Sequence, residues 1–268
     1  SYSGTYDGAT HSPSSCVVTG DYTGDLSCTN SPASVGPDVG SGSVVPALVL
    51  NDETETNYTI TNVDGSWEIT PADPTCSISG YTGVYDGNPH GASGSCTGVN
   101  SETLTILDLG ATFTNVPGGT ASWTFTDPSG NYTNDGGSVE IVINKADPTC
   151  SISGYTGVYD GDSHSASGSC IGVQREILSG LDLGDSFTDV PGGTAYWTFT
   201  DVTGNYNDDS GSVEIVITKA DATFVVAGYE GIYDGQPHGA TLTSATGVNS
   251  EDLSGSIIVG TETYTDVP

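Results

Sequence analysis

Positive charge is almost missing from this sequence: its 268 residues hold three Lys and Arg, namely Lys145, Arg175 and Lys219, against 34 Asp and Glu, a formal net charge of -31 at pH 7. Nucleic-acid binders gain most of their affinity from basic side chains that displace counterions from phosphates, so nucleic acid is excluded as a partner. Anionic membrane surfaces repel the chain for the same reason. No run of about eighteen apolar residues occurs, so no helical membrane insertion is expected, and the chain does not open on the basic-then-apolar segment of a signal peptide. Methionine is absent. No window carries the 3.6-residue apolar period of an amphipathic helix, which leaves strands as the expected element. The acidity reads first as a solvated, self-repelling surface; divalent-cation binding and a saline habitat are the other readings, and composition does not separate them.

What the sequence has is glycine, at 38 residues, tyrosine, at 14, and above all repetition. The string Ala72-Asp73-Pro74-Thr75-Cys76-Ser77-Ile78-Ser79-Gly80-Tyr81-Thr82-Gly83-Val84-Tyr85-Asp86-Gly87 recurs letter for letter from Ala146 to Gly161, and Ala220-Asp221 opens another copy. From position 72 to 146, and from 146 to 220, the spacing is 74 residues, and the two complete copies agree at about three-quarters of positions without a gap. The copies also close alike, Pro117 to Asp127 being answered by Pro191 to Asp201 and Gly130-Asn131-Tyr132 by Gly204-Asn205-Tyr206. Near the start, Tyr6-Asp7-Gly8 with His11 matches Tyr85-Asp86-Gly87 with His90. The expected organisation is a divergent first repeat over 1–71 that lacks its opening strand, repeats over 72–145 and 146–219, and a partial fourth over 220–268. Both ends fall inside a repeat, so an excerpt of a longer array is expected; the alternative is that a neighbouring subunit donates the missing strand.

Segments such as Ser138-Val139-Glu140-Ile141-Val142-Ile143 and Ala121-Ser122-Trp123-Thr124-Phe125-Thr126 alternate with period two and are rich in β-branched and aromatic residues, as half-buried strands are. Trp123 and Phe125 share one face, as do Trp197 and Phe199, and each pair is expected to point into its core. Asp86-Gly87, Pro117-Gly118-Gly119, Ser129-Gly130-Asn131 and Asp135-Gly136-Gly137 supply the reversals. The fold class is therefore all-β: tandem small Ig-like β-sandwich repeats of about six strands in an elongated rod. A helical turn over Glu102 to Leu109 would favour a β-grasp-like repeat instead. Each repeat is expected to advance the rod by about 30–45 Å, with flexing confined to the Ala-Asp junctions. Pro71, at the position of Lys145, marks one joint as different.

At these residues the chain resembles the YDG or MBG repeats of bacterial surface and adhesin-like proteins. The carriers are Gly80-Tyr81-Thr82-Gly83-Val84-Tyr85-Asp86-Gly87 with His90-Gly91-Ala92, Leu107-Asp108-Leu109-Gly110, Phe113 to Ala121 and Trp123-Thr124-Phe125. Tyr159-Asp160-Gly161, Leu181-Asp182-Leu183-Gly184 and Trp197-Thr198-Phe199 repeat them, and Tyr233-Asp234-Gly235-Gln236-Pro237-His238 begins a further copy. The resemblance covers nearly the whole chain and implies an exported β-rich spacer or adhesive array; it brings no catalytic residues. Cysteine, which such repeats generally lack, is the departure, and Val35 to Glu55 fits the pattern poorly.

Cys76 and Cys96 recur at the same separation as Cys150 and Cys170, with no CxxC or Cys/His grouping, so disulfides are expected, each tying a repeat's first strand to its second. Closing a loop of that size is worth about 3 kcal/mol in the chain-entropy model. Cys16 is expected to pair with Cys28, and Phe224 stands where Cys76 would in the fourth copy; buried free thiols are the bland alternative. His11, His90, His164 and His238 each follow a Tyr-Asp-Gly, where a ligand or general base is conceivable in principle, but a histidine bonding its own turn accounts for the recurrence. Asp127, Asn131 and Asp135, and then Asp201, Asn205, Asp208 and Asp209, are oxygen-rich enough for calcium, although no EF-hand spacing occurs and turns favour Asp and Asn for backbone reasons. Lys145 and Lys219 raise the question of isopeptide crosslinks, which Pro71 argues against, and Asn57 and Asn131 begin acceptor tripeptides for glycosylation. The function expected is a structural spacer or filament-forming segment of an extracellular fibre, stalk or giant surface adhesin, partnered by neighbouring copies. The alternative is an adhesive module for a cell-surface glycan or partner cell, and no enzyme is expected.

Overall fold

A computed structural model of the chain describes residues 1–21, 23–24, 26–50 and 58–265. Among them there is no α-helix and one short 3-10 turn, Ser254–Ser256; no helix is long and apolar enough to cross a membrane. In the first repeat β1 (Tyr2–Thr5), β2 (Leu26–Ser31), β3 (Gly40–Leu50) and β4 (Gly65–Thr70) make one sheet in the order β1-β4-β3-β2. The second contains β5 (Thr75–Ser79), β6 (Tyr81–Val84), β7 (Ser93–Thr97), β8 (Thr103–Leu104), β9 (Leu107–Asp108), β10 (Gly118–Phe125) and β11 (Asp135–Asn144), arranged as β5-β7-β8 and β6-β11-β10-β9. The third repeats this with β12 (Thr149–Ser153), β13 (Tyr155–Val158), β14 (Ser167–Ile171), β15 (Leu181–Asp182), β16 (Gly192–Phe199) and β17 (Asp209–Thr218), as β12-β14 and β13-β17-β16-β15. The fourth holds β18 (Thr223–Ala227), β19 (His238–Gly239), β20 (Thr241–Thr246) and β21 (Thr263–Tyr264), paired β18-β20 and β19-β21. The complete repeats are β-sandwiches. By contacts the chain divides into two compact units, Ser1–Val84 with Asn88–Asn144, and Tyr85–Gly87 with Lys145–Pro268.

One glycine sets the sandwich topology. The chain changes sheets at Gly80, where the alternation slips by one residue, from Ile78 to Tyr81, and where a Cβ would strike the carbonyl of Glu140; Gly154 stands against Glu214 in the same way. Ahead of that point β5 pairs antiparallel with β7, and beyond it β6 runs parallel to β11, from Tyr81 opposite Ile141 to Val84 opposite Asn144. The long β10–β11 ladder then presents Ala121, Phe125, Ile141 and Ile143 inward, at 0, 2, 1 and 1 % exposure. Trp123 is only half-buried: it lies opposite Gly137 and roofs it, an aromatic ring covering the gap a glycine leaves in a strand.

Two expectations change here. Glu102 to Leu109 holds the short strands β8 and β9 and no helical turn, which leaves the β-grasp arrangement without its helix. The disulfides Cys76–Cys96 and Cys150–Cys170 tie the first strand of a repeat to its third, because the intervening strand has left for the other sheet. The bonded cysteines face one another in register, so each bridge lies within one sheet, unlike the inter-sheet bridge of antibody domains. Cys16 is bonded to Cys28. In the fourth repeat Phe224 faces Ala245, and a bulge between Val225 and Val226 absorbs one extra residue. In the Ala-Asp strings Ala72 and Ala146 are each 3 % exposed and bonded through both backbone groups inside their own repeats, Ala72 to Asn131 and Thr133, Ala146 to Asn205 and Asn207.

Because Cys96 and Cys170 are fully buried beside Phe125 and Phe199, each bridge is part of a core. Peptide mass spectrometry without reduction is expected to recover Cys16–Cys28, Cys76–Cys96 and Cys150–Cys170. Reduction is expected to cost the second and third repeats about 3 kcal/mol each, read as a lowered denaturation midpoint; free thiols in the oxidised protein would contradict the pairing.

Candidate functional site

The Tyr-Asp-Gly turn is the most repeated feature of the chain, and its polar groups are bonded within the turn. Asp7 accepts hydrogen bonds at Oδ1 from the amide of Ala9 (2.9 Å) and from His11 Nε2 (3.0 Å); Asp160 accepts from Asp162 (2.9 Å) and His164 (3.0 Å), and Asp234 from Gln236 (2.9 Å) and His238 (2.8 Å). A carboxylate only accepts, so each Nε2 carries a proton. The imidazoles are stacked on tyrosines that precede each Tyr-Asp-Gly string by four residues: Tyr2 on His11, Tyr81 on His90, Tyr155 on His164 and Tyr229 on His238, with centroids 3.6 to 4.5 Å apart. Main-chain bonds then fix His11 to Val35, His90 to Phe113 and His164 to Phe187. The bond from His11 and then that from Ala9 hold the Asp7 carboxyl below its ordinary range; for Asp160 the amide of Asp162 comes first and His164 second, and for Asp234 His238 leads. These histidines are turn-builders.

The carboxylates proposed for calcium lie in a second turn. Asp127 accepts from the amides of Ser129 (3.1 Å) and Tyr132 (2.7 Å), and Asp201 from those of Thr203 (2.9 Å) and Tyr206 (2.9 Å). Burial resists ionisation of both, yet these amides and the hydroxyls of Ser129 and Thr203 bring their carboxyls below the usual range. Asp208 accepts from the amide of Asp201, while Asp135 and Asp209 accept from the amides next along the chain. Asn131 and Asn205 are buried. The seven residues fall in two equivalent loops, three between β10 and the start of β11 and four between β16 and the start of β17, and among the described residues no group of three or more His, Cys, Asp or Glu is placed to hold a metal ion. Lys145 and Lys219 are exposed, and Asn57 lies outside the described residues.

A third arrangement escaped the sequence reading. Gly98 to Glu102 forms a tight turn, closed by Gly98 N–H to Glu102 O (2.9 Å), with Ser101 at φ 63°. The turn aims Glu102 at the Tyr132 hydroxyl, which donates to Oε1; Oε2 accepts from the Asn100 amide (2.9 Å), and the amide of Val99 donates to the phenol oxygen (3.0 Å). Glu176, Tyr206, Gln174 and Val173 repeat the set. Gly98 and Gly172 permit it, since a Cβ at either would strike both the carboxylate and the phenol. The signal was present as Gly98-Val99-Asn100-Ser101-Glu102, Gly172-Val173-Gln174-Arg175-Glu176 and Gly247-Val248-Asn249-Ser250-Glu251. Tyr6 meets Tyr132 edge-on at 5.3 Å, and Tyr85 meets Tyr206 at 5.5 Å.

The latch titrates at both ends. Burial first, and then the bond to Glu102, push the Tyr132 hydroxyl up to about 12, while the Tyr132 bond holds the Glu102 carboxyl below its usual range. A raised tyrosine stabilises the fold fully below its unfolded value near 10 and ceases to do so as pH climbs through about 12. A lowered glutamate stabilises above its unfolded value near 4.5 and ceases as pH falls through the folded one. Denaturant unfolding across pH is expected to show a plateau between those limits. Tyr132→Phe is expected to flatten the alkaline limb, whereas Tyr132→Ala, which also empties the core, is expected to cost about 3–5 kcal/mol at neutral pH.

No protein-family model matches the chain, and no curated protein does. Solved structures of repeated domains are similar. The surface layer protein SbsC, domains 1–6, is 12 % identical over 85 % of this chain with a TM-score of 0.26. Sidekick-1 immunoglobulin domains 1–5 are 10 % identical over 84 % with a TM-score of 0.23, and domains 1–4 of the same protein 10 % identical over 92 % with a TM-score of 0.19. The chain spans 39 % of the surface layer protein chain, 60 % of the five-domain chain and 79 % of the four-domain chain.

Proposed function

We propose that this chain is a spacer segment of an extracellular fibre, stalk or giant surface adhesin, built of YDG- or MBG-type repeats and without a catalytic role. One observation carries the reading: side chains capable of chemistry are used, in the same geometry in copy after copy, to hold turns and cores. A histidine bonded to an aspartate at 3.0 Å and stacked on a tyrosine is found in the first and third repeats alike. A catalytic centre needs a converging nucleophile, base and sheltered cavity in one place; a spacer needs the same stable unit many times. Disulfides inside each complete repeat support an oxidising, extracellular setting, and the acidic surface supports solubility of a long array.

The test is a glycan array probed with the labelled chain, together with single-molecule extension. The second and third repeats are expected to bind no glycan and to unfold as two steps of equal length at similar force. Saturable glycan binding that maps to those two repeats would replace the spacer by the adhesive module.

A further inference from the structure

The Tyr-Asp-Gly turn does more than close its own repeat. Tyr6 belongs by sequence to the first repeat, yet its ring packs against the buried cluster of Ala72, Cys96, Phe125 and Tyr132 in the second. The turn is gripped there by one further side chain. Asn100 Nδ2 donates to the main-chain oxygen of Asp7 (3.2 Å), and Gly8, at φ 75°, lies so close that a Cβ would strike that same amide group. Asn131, 8 % exposed, is engaged on both sides of its amide, donating to Asp38 Oδ1 (3.0 Å) and accepting from the amide of Val39 (2.9 Å). The second compact unit contains the same grip. Tyr85 packs with the cluster of Ala146, Cys170, Phe199 and Tyr206, and a Cβ on Gly87 would strike Gln174. Between the third and fourth repeats a Cβ on Gly161 would strike Asn249.

We propose that the Tyr-Asp-Gly turn is a plug, and that the Gly-Val-Asn/Gln-x-Glu turn with the Gly-Asn-Tyr loop is its socket, so that each socket fits the Tyr-Asp-Gly turn of another repeat of this chain's kind. The chemistry of the fit is specific. The socket's tyrosine is held by its glutamate so that it offers a ring edge and face to the incoming ring, a geometry aromatic pairs favour. Its amide side chain reads the main chain of the turn, and only glycine leaves room for that approach at a positive φ. A consequence follows for folding: the core of one repeat is incomplete without a ring from its predecessor, so stability passes along the array. This deepens the spacer reading and rests on it, but the experiment that tests it does not depend on what the array binds.

That experiment is amide hydrogen exchange on the full chain. Tyr6→Ala, a substitution in the first repeat, is expected to speed exchange in the second repeat around Ala72, Cys96, Phe125 and Tyr132 by about tenfold or more, while Tyr6→Phe, which keeps the ring, leaves it unchanged. Should Tyr6→Ala unfold the first repeat outright, Asn100→Leu approaches from the socket side and is expected to speed exchange at Gly8 and Ala9. Exchange that changes only inside the repeat carrying each substitution would overturn the plug, and would leave the spacer reading standing.

Discussion

Each sandwich depends on one line of parallel hydrogen bonds, between the short strand that follows Gly80 or Gly154 and the last strand of the repeat. That pairing joins the beginning of the repeat to its end, and everything between is held closed by it: Tyr81 lies opposite Ile141 and Tyr155 opposite Ile215. The described residues of the fourth repeat differ at this place. The equivalent segment, Tyr229 to Ile232, has no strand opposite it among the described residues and is not a strand. Ile232 is then 91 % exposed and Tyr229 50 %, although the corresponding Tyr81 and Tyr155 are half-buried. β18 pairs with β20, the counterpart of the pairing that carries the cysteines in the second and third repeats.

A repeat of this size buries little apolar surface, and domains this small are marginal without a staple. The two complete repeats place the disulfide in the cluster that also holds the phenylalanine of the Trp strand and the latch tyrosine. The bridge therefore narrows the unfolded ensemble and fills the folded core at once. Trp123 and Trp197, the largest side chains available, remain half-buried because they lie over Gly137 and Gly211 on the neighbouring strand. The fully buried places go to Phe125, Phe199 and Tyr206.

Much of this was legible in the sequence, for physical reasons that also mark where reading stops. Strict alternation and Gly-Asx reversals identify the long β10–β11 and β16–β17 ladders, since a period of two and a positive φ are properties of a few adjacent residues. Repetition identifies the disulfide partners. At Gly80 the alternation slips by one residue, from Ile78 to Tyr81, but the strand that receives Tyr81 to Val84 is β11, far along the chain, and nothing local to the slip names it. The latch is hidden for the same reason: Glu102 and Tyr132 are thirty residues apart in sequence, with all of β10 between them. The Tyr-Asp-Gly string was recognised as a turn, but its tyrosine is needed by a neighbour, a role that no property of the string itself displays.

The acidity can then be read as more than a solvated surface. An aspartate that accepts from the amide two residues on recurs at Asp7, Asp108, Asp127, Asp160, Asp182, Asp201, Asp234 and Asp252. Such a turn satisfies an amide that a strand would otherwise have bonded, and the ionised carboxylate is the better acceptor. Where a shift is resolved, the carboxyl lies below its ordinary range, as at Asp7, Asp127, Asp201 and Asp252. The charge is therefore favoured at these places by the fold itself, and an array with many reversals and few cations accumulates it as a consequence of how its turns are made. Self-repulsion among like charges opposes compaction, while the same ionised groups close the turns of each repeat, so the acid load works for the fold at the range of one turn and against it at the range of the whole chain.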